Sequence, residues 1–125
     1  MYLQPESVDE TFGCIADIGG VGSEVVFDYV QSSVLRRAGL CYGEREILKV
    51  VERANETWHF GLEKDDVERF LCECGFQLKD HRDARELERL YFTERSGRVV
   101  GRVNGTHCLV RALKPKTRRH RLTKA

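Results

Sequence analysis

Gly22-Ser23-Glu24-Val25-Val26-Phe27-Asp28-Tyr29-Val30 is the stretch on which the fold of this chain turns. Its centre is β-branched and aromatic on both alternating faces, as in a strand covered on both sides of an α/β sheet. That pattern places Val26 inside. Upstream, Pro5 and Glu6 suit a first helical turn, because proline needs no N–H there and the acid favours the positive end of the helix dipole. Val8, Phe12 and Ile15 fall on one face, and Gly19-Gly20 ends the helix. The run Gly19-Gly20-Val21-Gly22 has the composition of a nucleotide loop in the wrong context. A phosphate-cradling loop leaves a strand and opens a helix, whereas these glycines leave a helix and enter a strand. They read as a cap and a turn.

Downstream, a short helical stretch around Val34–Arg37 closes at Gly39. Ile47, Val50, Val51 and Ala54 then repeat at helical spacing, predicting a helix with one apolar face. Asn55 to Gly61 is a loop carrying Trp58, His59 and Phe60. A second helix follows, acidic in its first turn, with the stripe Val67, Phe70, Leu71 and Cys74 and a left-handed cap at Gly75. Phe76 to His81 alternates like a strand. Asp83 with Glu86 resembles a capping box, opening a helix whose core side is Leu87, Leu90 and Tyr91. Asn104-Gly105 between Val99–Val103 and Cys108–Val110 predicts a two-residue hairpin. Helices alternating with strands, then a strand-rich end, give the class α/β with an antiparallel edge.

At 125 residues the chain fits one domain. No apolar run approaches the ~18–20 residues of a membrane span, and the start has neither the basic nor the apolar region of a secretion signal. The expected location is cytoplasmic, with no membrane partner. Five cysteines leave one unpaired in any scheme. The C-x-C of Cys72 and Cys74 lies within a helical pattern, so reduced cysteines are expected and no metal site. Of the 21 Lys/Arg, six follow Leu113 in a stretch without acids, leaving 15 against all 20 Asp/Glu in residues 1–113. Residues 114–125 therefore read as a basic, disordered tail that keeps the chain soluble, and the tail alone does not make nucleic acid a partner.

No acid–histidine–nucleophile set emerges from spacing: His59, His81 and His107 are far apart. Asp28 and Tyr29 stand at the carboxyl end of their strand, where open α/β sheets bind ligands. Trp58-His59-Phe60 is a candidate pocket wall.

Several segments, in order, resemble one family. Met1-Tyr2-Leu3-x-Pro5-Glu6 resembles the run after the fourth strand of leucine carboxyl methyltransferase-like enzymes. Gly22 to Val30 resembles their fifth strand. Trp58-His59-Phe60-Gly61-Leu62-Glu63, then Phe70-Leu71 and Cys74-Gly75-Phe76, resembles the passage before the sixth. Leu87-Glu88-Arg89, Gly101-Arg102-Val103-Asn104-Gly105 and Cys108 to Ala112 resemble the closing segment and last strand. The resemblance covers residues 1 to about 113.

What it implies is methyl transfer from S-adenosylmethionine to a carboxylate or hydroxyl oxygen. The implied fold is part of a Rossmann-like, class I methyltransferase sheet with helices on its faces. It carries Tyr2 over as a residue beside the cofactor, and Asp28, Tyr29, Trp58, Arg102 and Asn104 as residues of the acceptor side; no catalytic residue is named. The family's glycine loop and the acid ending its second strand have no counterpart in these residues. The expectation is a truncated C-terminal half, inactive alone and not binding the cofactor by itself. Its fifth strand would lack a neighbour, so it is expected to form a homodimer or to pair with a complementary N-terminal polypeptide. The alternative is a non-catalytic dimerising or partner-binding module.

Overall fold

The structure is a computed structural model and describes residues 1–116. The elements run α1 (Pro5–Ile18), β1 (Glu24–Val30), α2 (Ser32–Leu35), α3 (Glu44–Arg53), a 3-10 turn (Lys64–Asp66), α4 (Val67–Glu73), β2 (Gln77–Arg82), α5 (Ala84–Tyr91) and β3 (His107–Leu113). The chain is mixed α/β, with one sheet of order β1-β3-β2. β3 is antiparallel to both neighbours, so β1 and β2 run parallel to each other. β1 pairs without interruption from Glu24 opposite Leu113 to Val30 opposite His107. β2 pairs through a register shift between Leu78 and Asp80.

One face of the sheet holds the core. Val25, Phe27 and Tyr29 lie opposite Ala112, Val110 and Cys108, and this face packs against Val8 and Phe12 of α1 and Val67 and Leu71 of α4. Phe12 is the hinge of that contact, its ring edge-on to Phe27 at 5.0 Å, to Phe70 at 5.2 Å and to Phe76 at 6.2 Å between centroids. Full burial of a side chain such as Leu71 contributes about 1.5–3 kcal/mol. The glycines at 19–22 form a cap and turn: Gly19 closes α1 through its N–H to the Ile15 carbonyl, and Gly22 takes φ +89° before β1. Lys114 continues the β3 line, its N–H reaching the Ser23 carbonyl at 2.8 Å. Its Nζ donates to the carbonyls of Ala16 and Gly19. Residues 117–125, most of the basic tail, lie outside the described residues.

The structure corrects four expectations. Among the described residues β1 is an edge strand, and it is not covered on both faces, Val26 being 66% exposed. The central strand is β3. Val99–Val103 and Cys108–Val110 do not form a hairpin; Val99 makes only an isolated bridge to Thr93, because β3 is taken on both sides by β1 and β2. α3 turns Glu44, rather than Val50, inward beside Val51. Leu90 and Tyr91 of α5 face outward, Tyr91 being 74% exposed. The capping of α5 is as read, with Asp83 Oδ1 accepting the Glu86 N–H at 3.0 Å. Cys108 is buried, Cys41 and Cys74 half-buried, and all five cysteines are unpaired. No helix among the described residues is long and apolar enough to cross a membrane.

Candidate functional site

Since β1 and β2 are parallel, their carboxyl ends lie at one end of the sheet, together with the start of β3. A cleft of about 670 Å³ opens there, lined by Gln31 after β1, Lys64, Asp83 and Glu88 around the entry to α5, and Arg102 and Tyr42 from the loops. Gln31 is fixed by its N–H to the Thr106 carbonyl at 2.9 Å and its Nε2 to the Gly105 carbonyl at 2.8 Å.

The acids of the cleft are already engaged. Asp83 caps α5 and also accepts from Lys64 Nζ at 2.9 Å. The Glu86 N–H, then Lys64, hold the Asp83 carboxyl below its usual range, and the bond to Asp83 keeps Lys64 charged to a higher pH. Glu63 pairs with Arg36 at 3.2 Å, and Glu88 Oε1 accepts the Val103 N–H at 2.9 Å. Arg102 lies with its guanidinium carbon 3.6 Å from the centre of the Tyr42 ring. This cation–π contact fixes its plane, while its nearest carboxylate, Glu88, stands 3.9 Å from Nε. Arg85, also on the wall, has no ion pair among the described residues. A planar cation with spare donors beside engaged acids is suited to a carboxylate or phosphate oxygen.

Of the six site residues named from the sequence (Tyr2, Asp28, Tyr29, Trp58, Arg102 and Asn104), Arg102 alone lines this cleft. Asp28 and Tyr29 are sequence neighbours, so the strand sends them to opposite faces. Asp28 is exposed opposite Leu109, while Tyr29 is 2% exposed in the core. Burial pushes the Tyr29 phenol far up, so it stays protonated, and its hydroxyl is hydrogen-bonded with His81 Nε2 at 2.8 Å. Burial also lowers the pKa of His81, with Lys64 adding to the effect. Asn104 organises the turn into β3: its Oδ1 accepts the Thr106 N–H at 2.9 Å and its Nδ2 reaches the Gly43 carbonyl at 3.4 Å.

Tyr2 and Trp58 come together elsewhere, edge to face at 6.3 Å, with His107 at right angles to Trp58 at 5.4 Å. The Met1 carbonyl accepts the N–H groups of His59 and Phe60, and Met1 Sδ lies 3.3 Å from His107 Nε2. Trp58 borders a smaller hollow of about 300 Å³ with Val34, Leu48 and Val51, and its buried Nε1 has no partner among the described residues. Among the described residues, no three His, Cys, Asp or Glu side chains converge to hold a metal ion.

Lys64, Asp83, Glu88 and Tyr42 were not singled out from sequence as site residues. The capping pattern of Asp83 was the sole local signal, and nothing in sequence links it to Lys64 or joins Tyr42 to Arg102. Comparison of the chain with protein-family models, with curated proteins and with solved structures finds no match.

Proposed function

We propose that residues 1–113 form the acceptor-binding, C-terminal part of a Rossmann-like methyltransferase domain acting on a carboxylate or hydroxyl oxygen, and that this part does not turn over by itself. The observation that carries the reading is the sheet order. The resembled fifth, sixth and last strands are β1, β2 and β3. The last strand lies antiparallel between two parallel ones rather than at the rim, and this mixed order supports the reading. The cleft at the carboxyl ends of β1 and β2 supports it further, being the place where open α/β sheets take their ligands.

In this reading the chain's own contribution is to bind and orient the acceptor. Arg102, flattened on Tyr42, aligns an acceptor anion, and the rigid Lys64–Asp83 pair shapes the wall opposite. Alignment and exclusion of water are the main demands when the methyl donor is already activated. The residues do not fit S-adenosylmethionine itself. Their one glycine run leaves α1 and enters β1, so it turns no helix N-terminus toward a ligand. A second reading, a non-catalytic partner-binding module, is favoured by the outer edge of β1, which is unpaired among the described residues.

Calorimetry of the full chain with S-adenosylmethionine is expected to show no one-to-one micromolar complex; such a complex would overturn the division of labour. Small carboxylates such as benzoate and succinate are expected to shift the NMR signals of Arg102 and Tyr42. Binding that leaves both unmoved would remove the acceptor site from this cleft.

A further inference from the structure

The two edges of the sheet differ in kind. β2 is broken by the register shift around Lys79 and carries Lys79, Asp80 and Arg82. Charges and bulges of this sort are how edge strands avoid pairing with other chains. β1, Glu-Val-Val-Phe-Asp-Tyr-Val, has no lysine, proline or bulge, and its seven pairs with β3 are unbroken. Its outer edge is unpaired among the described residues as far as Val30, whose carbonyl accepts the Leu62 N–H at 3.1 Å. On the next peptide the Gln31 N–H points the other way, to Thr106 on the β3 side. By strand alternation, the N–H and C=O groups of Glu24, Val26 and Asp28 therefore point outward. Beside this edge the sheet face opposite α1 and α4 mixes apolar and charged side chains: Asp80, Arg82 and Arg111 line it, and Arg111 pairs with Glu24 at 2.9 Å. Val26 and Leu109, 41% exposed, floor a hollow of about 350 Å³ walled by Leu87, Leu90 and Tyr91 of α5.

We infer that this edge pairs with the same edge of a second copy, antiparallel about a two-fold axis through Val25, giving one continuous six-stranded sheet. Charge and space select the register. A two-fold axis normal to the sheet sets residues of equal parity opposite each other, and like charges directly opposite are destabilising. Centring on Val26 sets Glu24 against the partner's Asp28, and centring on Glu24 or Asp28 sets each acid against itself. Centring on Phe27 avoids that but brings the partner's Ser23 opposite Gln31, the place Leu62 holds in its parallel bridge. With Val25 on the axis, Glu24 faces the partner's Val26, Phe27 faces the partner's Ser23, and the chain before Ser23 has already turned away at Gly20–Ser23. Acid then alternates with apolar along the seam, which closes on itself as a two-fold pair. The same edge is where a fourth strand would lie, so self-pairing and completion of the sheet exclude each other. The inference does not rest on the methyl-transfer reading.

The test is signed. Light scattering of the full chain at micromolar concentration is expected to give twice the 14.4 kDa of one chain. Val26→Glu sets an acid against the partner's Glu24 and is expected to weaken dimerisation at least tenfold. Val26→Lys sets a base there and is expected to keep the dimer. Lys79→Glu on the opposite edge is expected to change nothing. Because Val26 is largely exposed, both variants at that position should melt cooperatively, and circular dichroism checks this. A wild-type mass of one chain, a dimer that survives Val26→Glu, or equal loss in both Val26 variants would overturn the inference.

Discussion

The Tyr29 hydroxyl is hydrogen-bonded with His81 Nε2 at 2.8 Å, joining β1 to β2 across the intervening β3. Both side chains point to the core face, so the bond spans the strand between them. The imidazole makes this bond through Nε2. Tyr29→Phe leaves that nitrogen unpaired, and the expected loss is about 1–3 kcal/mol, read as a lower midpoint in urea. An unchanged midpoint would show that water replaces the hydroxyl.

Acid should weaken the fold through the same residue. Burial holds the pKa of His81 below its ordinary 6.5, and that of His107 likewise. The unfolded chain then binds protons more readily than the folded one. Stability is full above about pH 6.5, falls as the pH drops toward the folded-state values, and levels off below them. Melting temperatures at pH 7.5, 6.0 and 5.0 should decrease in that order, and more shallowly in His81→Gln. A rise on acidification would contradict the assignment. Asp83, held below 3.8, adds its own loss only at lower pH.

Glu44 is 3% exposed, and its Oε2 accepts the Gly39 N–H at 2.5 Å, closing the loop between α2 and α3. Glu44→Ala should cost about 1–3 kcal/mol by stranding that N–H. Glu44→Gln keeps an acceptor and should cost less. Equal losses by chemical denaturation would mean that the charge, rather than the hydrogen bond, matters.

Gly61 has no room for a side chain. A Cβ there would stand 2.8 Å from the Val30 carbonyl oxygen and 3.2 Å from Ser32 Cα. Gly61→Ala must push the Leu62 bridge off the end of β1, at a cost of about 1–3 kcal/mol. Hydrogen exchange should show the Leu62 N–H losing protection first; retained protection would place the strain elsewhere.

Lys114 ties β3 to the end of α1 through the carbonyls of Ala16 and Gly19. Lys114→Met keeps the stem and removes the donors, with an expected loss of about 1 kcal/mol in the melting transition. A midpoint within error of the parent would show that the ammonium is replaced by solvent.

Much of the local structure was legible in the sequence. Gly19-Gly20 ending α1, Asp83 capping α5 and the stripe Val67, Phe70 and Leu71 of α4 are all recorded within a few residues, where backbone dihedrals and side-chain period are set. The resemblance named Arg102, and the structure puts it in the cleft. Its stacking on Tyr42 was hidden, because the two are 60 positions apart and meet only once the loops close over the carboxyl end of the sheet.

Sequence by itself determined the longer helices and the three strands that form, since those follow from periodicity, caps and turns, whereas Val99–Val103 read as a strand and is not one. Tertiary structure alone decided the neighbours. Val25–Val30 is equally apolar in the middle of a sheet or at its edge; its place at the edge depends on β3, nearly 80 residues on, taking the central position. Asn104-Gly105 is a sound local hairpin signal, yet β3 pairs with β1 and β2 instead of Val99–Val103. Burying Cys108, Val110 and Ala112 against two strands and two helices outweighs a turn preference. That competition is between contacts far apart in the chain, and no local pattern records it.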